Sequence, residues 1–190
     1  MATAKERLMR SRLIQIISGL VAFSTVYATD VSGNISSNTT SSLANSPYVV
    51  TGNILVASGV TLTIEAGVTV KIDSDKTFQV KGTLIARGTS SSKITFTSNV
   101  SSPAAGDWGN LQFFDESTDA SYSGSTYTSG SIMEYCIVEY GTALYITKAG
   151  PFINYSEFRY NSEAGVSVWN DDWSSPTTLV WVTRCDIHDN

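Results

Sequence analysis

The sequence predicts an all-β fold, a single-stranded parallel β-helix in which short strands coil into a solenoid. Three observations lead there. Short strands of alternating polarity run from Val49 onward, related segments recur at intervals of 20 to 29 residues, and the chain lacks the Asn-Gly and Asp-Gly pairs of two-residue hairpins. Strands that recur without hairpins stack like on like.

Between Val49 and Ser98 the alternation is clear in Thr61-Leu62-Thr63-Ile64, Val68-Thr69-Val70-Lys71-Ile72, Thr77-Phe78-Gln79-Val80 and Ile94-Thr95-Phe96-Thr97. Turn residues separate these runs at Ser58-Gly59, Ala66-Gly67, Ser74-Asp75 and Lys81-Gly82. One face of each run is apolar and the other carries Thr, Lys and Gln, the pattern of a half-buried strand. Val56 corresponds to Val80, Leu62 to Leu84 and Val70 to Ile94, a period in the low twenties.

The C-terminal half repeats more plainly. Ile132 to Gly141 aligns with Phe152 to Asn161, 20 residues later, and with Trp181 to Asn190, a further 29 residues on. The longer interval holds Asn170 to Pro176, which reads as a loop inserted into one rung. Ala143-Leu144-Tyr145-Ile146 matches Gly165-Val166-Ser167-Val168 as a second stacked strand. Stacking places Met133, Ile153 and Val182 in one inward column, Cys136, Ser156 and Cys185 in a second, and Val138, Phe158 and Ile187 in a third. Asn161 and Asn190 share a turn.

An inward aliphatic, then Cys or Ser three residues later, an apolar residue two further on and Asn at the turn resembles the right-handed parallel β-helix repeat proteins, the pectate-lyase-like superfamily. The stretches Gly59 to Val68 and Gly106 to Leu111 resemble sequences of its secreted bacterial members. The resemblance runs from about Tyr48 to the end and implies a right-handed solenoid. It does not imply one activity, because the superfamily includes lyases, hydrolases, epimerases, adhesins and proteins without assigned activity. The expected division is a signal peptide over 1–28, a leader or cap over 29–47 and the β-helix over 48–190. Inserted loops are expected near 98–107, 115–130 and 170–177. An apolar rung ending at the turn residue Asn190 is expected to continue in a longer protein.

Lys5, Arg7, Arg10 and Arg12 precede an apolar run from Leu13 to about Thr25 and then Val26-Tyr27-Ala28. That is a secretory leader with cleavage expected after Ala28, so the protein is expected outside the cell or on its surface. The run is shorter than the roughly 20 residues of a membrane span. Removing it takes away four of the 12 basic residues and one of the 17 acidic ones, leaving net −8. Such a field disfavours nucleic acid and anionic polymers.

Candidate chemistry is sparse. Stacking puts Glu139, Arg159 and His188 side by side on outward positions, a trio that reads first as an exposed salt-bridged ladder and second as an acid–base group. His188 is the only histidine, which excludes a multi-histidine metal site. Asp171 and Asp172 lie between Trp169 and Trp173, aromatics beside acids that suit contact with carbohydrate. The Gly-His-Gly and Arg-Ile-Lys elements of β-helix polygalacturonases and the Asp-Pro-His-type motif of the epimerases are absent, and Arg159 with Glu157 or Asp186 is too thin a match to a pectate-lyase site. Asp73-Ser74-Asp75 is a candidate for weak Ca2+ binding but reads better as a turn; no other cofactor is expected. Paired threonines at Thr61/Thr63 and Thr95/Thr97 fail to form a flat array because Ile85 and Lys71 interrupt it. Cys136 and Cys185, two rungs apart, are expected to be free thiols. The function expected is a structural, adhesive or glycan-contacting module without a catalytic site. The alternative is a polysaccharide lyase or glycoside hydrolase whose active groups lie partly beyond Asn190.

Overall fold

A computed structural model describes residues 28–124, 126–169 and 180–190 of the chain. The leader expected over 1–28 therefore lies outside the described residues except for Ala28, as does the loop expected over 170–177.

The chain coils through three faces, here named A, B and C. β1 (Thr29–Ile35) runs along B and C. β2 (Thr39–Ser41) opens the second rung on A, and β3 (Tyr48–Val56) covers B with its first half and C with its second. The third rung is β4 (Thr61–Ile64), β5 (Thr69–Ile72) and β6 (Phe78–Val80), and the fourth is β7 (Thr83–Arg87), β8 (Ile94–Ser98) and β9 (Leu111–Phe113). An antiparallel hairpin, β10 (Ser121–Ser123) and β11 (Thr126–Ser129), interrupts the coil. The fifth rung follows as β12 (Ile132–Glu134), β13 (Cys136–Glu139) and β14 (Leu144–Thr147). The sixth is β15 (Phe152–Asn154), β16 (Glu157–Arg159) and β17 (Val166–Trp169), and β18 (Trp181–Thr183) and β19 (Asp186–His188) belong to the seventh.

Each rung pairs with the next in parallel. Face A is the six-stranded ladder β18-β15-β12-β7-β4-β2, while B and C form one 11-stranded sheet because β3 bends from one face to the other. Stacking already begins at β1, within the segment that the sequence assigns to a leader or cap. In the C-terminal half the pairs Met133↔Ile153↔Val182 and Val138↔Phe158↔Ile187 are those of the repeat alignment. In the N-terminal half Val56 meets Val80 and Leu62 meets Leu84. Val70, however, pairs with Phe96 and not with Ile94. The corner after β7 is longer than the one after β4, holding a tight turn with a Thr89↔Ser92 bridge. Ile94 and Phe96 are both fully buried, so a two-residue slip leaves the alternation intact and the sequence does not show it.

The interior is a stack of aliphatic and aromatic columns. Val70, Phe96, Val138 and Phe158 form one of them, and Phe96 meets Phe78 edge to face, with ring centroids 5.8 Å apart. The corners use a left-handed residue. Between A and B it is Tyr135, Tyr155 and Arg184; between B and C it is Tyr140, Tyr160 and Asp189. This conformation costs a non-glycine residue about 1–2 kcal/mol. Stacking on the equivalent corner above offsets part of that: Tyr135 and Tyr155 are 4.8 Å apart and nearly coplanar, Arg184 lies over the Tyr155 ring, and Tyr140 and Tyr160 are 5.5 Å apart. Asparagines carry the hydrogen bonding around the B–C corner. The Gly141 N–H donates to Asn161 Oδ1 and the Asn161 N–H to Asn190 Oδ1.

Cys136 and Cys185 occupy one column with Ser156 between them. The Cys136 N–H donates to Ser156 Oγ, and the Asp186 N–H, next to Cys185, donates to the Ser156 carbonyl. Two rung spacings are about 10 Å, well beyond the Cα separation of a disulfide. Both thiols are free. Burial pushes both up, Cys136 the more because it is fully enclosed. Alkylation of the native protein should therefore reach Cys185 slowly and Cys136 only after denaturation, with no bridged peptide in a non-reduced digest. A bridged peptide would contradict the register.

Candidate functional site

Ion pairs tie together the outer side of face B. Arg159 Nε donates to Glu139 Oε2 (2.8 Å) and Nη1 to Glu157 Oε1 (2.5 Å), so one guanidinium joins carboxylates of adjacent rungs. Thr97 Oγ1 donates to Glu139 Oε1, and Lys93 Nζ donates to Glu157 Oε2. His188 Nδ1 pairs with Asp189 at 2.8 Å and Nε2 with Glu157 at 3.4 Å. The three positions Glu139, Arg159 and His188 are direct neighbours in the ladder. Glu139 is only 9% exposed, covered by the groups that bind it.

The charges on this face are largely compensated. Burial pushes the Glu157 carboxyl up, but Lys93, Arg159 and His188 outweigh it and bring it below the ordinary glutamate value. For Arg159, burial is outweighed by Glu139 and Glu157, which raise it. A carboxylate held low is a poor proton donor near neutral pH.

Face A is closed over its C-terminal half. The hairpin β10–β11 lies against it, with Tyr122 stacked on Trp181 (4.8 Å) and edge to face with Phe152 (5.7 Å), and Tyr127 stacked on Phe152 (5.8 Å). Ile132, between Ile85 and Phe152 in the ladder, is fully buried on this side of the sheet. The loop expected near 115–130 is thus largely a hairpin with an aromatic contact face.

Face C is uncharged at its outward strand positions among the described residues. Leu55, Gln79, Gln112, Tyr145 and Ser167 follow one another in register, and Thr147 with Trp169 forms a second short column. Trp169 is 65% exposed, and its Nε1 donates to Ser167 Oγ at 3.1 Å. The Tyr145 hydroxyl donates to the Glu163 carboxylate in the corner beside it. The other three residues expected to contact glycan, Asp171, Asp172 and Trp173, lie outside the described residues. At the N-terminal end the interior opens into a mostly apolar cavity of about 420 Å³ inside the first rungs, with Val31 and Ile35 of β1, Tyr48 of β3 and Leu62 of β4 among its walls.

Three continuous parallel ladders around an apolar stack define the architecture, and the sequence agrees with it. Residues 33–150, more than half of the chain, match the family described as a pectate-lyase like beta helix domain. The chain belongs to that family. Searches of curated proteins and of solved structures find no match.

This β-helix domain carries no group of three or more His, Cys, Asp or Glu side chains placed to hold a metal ion among the described residues. Asp73 accepts a hydrogen bond from Asn99, and Asp75 is a left-handed corner residue, which is the turn role the sequence suggests. Sequence reasoning missed Lys93 and Thr97 as members of the face B network, because the lengthened corner before β8 hides their place in the repeat. It also missed Gln112 and Tyr145, whose only signal is the alternation that puts them outward.

A pH dependence follows from the His188 contacts. The hydrogen bond to Asp189 raises the imidazole above its ordinary value, with Glu157 and Asp186 adding to the effect. A group raised on folding stabilises the fold fully below its unfolded value, near 6.5, and loses that contribution as pH rises through the folded value. Wild type should therefore exceed His188→Gln in urea midpoint at about pH 5.5 and match it at about pH 8.5. A gap that widens with rising pH would contradict the pairing.

Proposed function

We propose that this β-helix domain is a secreted or cell-surface module that contacts glycan without cleaving it. The carrying observation is Trp169, an indole 65% exposed beside the uncharged, amide-bearing strip of face C. Exposed aromatics next to hydrogen-bonding side chains suit the apolar faces and hydroxyl rims of sugar rings. The basic and apolar leader ending at Ala28 supports secretion. The salt-bridged state of face B supports a binding role over catalysis, because its arginine and carboxylates satisfy one another.

The leader-free protein should be retained by insoluble polysaccharide in a pull-down, with no new reducing ends and no unsaturated uronides released, with or without calcium. Release of either product would replace this reading with a lyase or hydrolase, the class that Arg159 between Glu139 and Glu157 on a solvent-facing ladder would favour. Failure of the protein to bind any polysaccharide would remove the glycan role.

A further inference from the structure

We infer that the glycan taken by face C is an uncharged one, held on the diagonal formed by Tyr145 and Trp169. This rests on the glycan-contacting reading above and names its ligand class. Tyr145 pairs with Ser167 and Thr147 with Trp169 across adjacent rungs, so Tyr145 and Trp169 are diagonal neighbours, about 8 Å apart at Cα given the spacing and rise of parallel strands. Two aromatic side chains at that separation can each serve one of two neighbouring sugar rings. Around them, Gln112, Thr147 and Ser167 offer an amide and two hydroxyls, and Gln112 Nε2 reaches Thr147 Oγ1 at 3.5 Å. These groups donate and accept hydrogen bonds, as sugar hydroxyls require.

The distribution of charge decides against a polyuronate. Among the described residues no cation stands at an outward strand position from β6 to β17 on this face, and Lys148, in the corner after β14 with its N–H on the Trp169 carbonyl, already has a partner of its own. The carboxylate next to the platform, Glu163, binds the Tyr145 hydroxyl and would repel an acidic sugar. The net −8 of the chain without its leader adds to that repulsion. An uncharged chain meets none of these penalties.

The test is calorimetric titration of the leader-free protein with cello-, xylo- and mannohexaose and with a galacturonate oligomer of the same length. At least one neutral hexamer should bind at least tenfold more tightly than the galacturonate, with an affinity unchanged between low and high salt. Trp169→Ala should weaken that binding at least tenfold, and it should fold normally because the indole is mostly exposed. Glu157→Gln on face B should leave it unchanged. Tighter binding of the galacturonate, or neutral binding indifferent to Trp169→Ala, would overturn the assignment. Galacturonate binding that Trp169→Ala abolishes would overturn the uncharged ligand alone and leave the glycan role standing. Binding of no oligosaccharide together with a blank pull-down would remove both.

Discussion

Phe96→Ala is expected to lower the stability of the fold by about 3–5 kcal/mol, read as a fall in the urea midpoint at unchanged slope. Phe96 is fully buried, stands in register between Val70 and Val138, and meets Phe78 edge to face. Its truncation would remove the ring contacts and leave a void inside a stack whose rungs are held at fixed spacing by their ladders. A solenoid cannot close such a void by moving one strand without breaking pairs on both sides. Ile137→Ala on the neighbouring strand is the control, since Ile137 lies on the outer side of β13 and is partly exposed. A loss for Phe96→Ala no larger than that of the control would show that the ring is not part of a shared interior.

Gly82→Ala is the second large effect, on the order of 3 kcal/mol. Gly82 lies in the corner between β6 and β7, where its N–H donates to the Val56 carbonyl and its own carbonyl accepts from Thr118. A Cβ there would stand 2.2 Å from the Val60 oxygen and 2.3 Å from the Ala57 oxygen, both main-chain atoms of the rung below. Neither atom can move away without pulling its own corner apart. Gly59→Ala separates crowding from backbone strain. Its φ is +76 but a Cβ would meet nothing within 4 Å, so only the left-handed penalty of about 1–2 kcal/mol applies. Thermal midpoints of the two variants should fall in that order, and the reverse order would contradict the close stacking of corners.

The solenoid was legible because its repeats carry the information twice, in alternation within a strand and in recurrence between rungs. Ile132, Phe152 and Trp181 align without insertions in the strands that follow, so the fifth to seventh rungs could be registered from the sequence down to Asn161 and Asn190. The fourth rung could not, since alternation repeats every two residues and cannot tell Ile94 from Phe96 as the partner of Val70. The hairpin β10–β11 was opaque for a different reason. Its Ser, Thr, Gly and Tyr composition reads as a loop, and the stacking of Tyr122 and Tyr127 on Trp181 and Phe152 depends on a fold-back that no local pattern encodes. The trio Glu139, Arg159 and His188 was visible because it follows the aligned strands, while Lys93 enters its network from the irregular corner. Trp169 stood out beside Asp171 and Asp172, but Tyr145 and Gln112 become its neighbours only once the rungs are stacked.

Hydroxyl-radical footprinting with and without a bound neutral oligosaccharide is the most direct test of where the glycan sits. Both faces carry their own reporters: Tyr145 and Trp169 on face C, and His188 on face B with Tyr155, 38% exposed, at the corner between A and B. Oxidation of Tyr145 and Trp169 should fall on binding while that of Tyr155 and His188 stays the same. Protection of Tyr155 and His188, with Trp169 as reactive as in the free protein, would place the ligand on the salt-bridged face and contradict the assignment to face C.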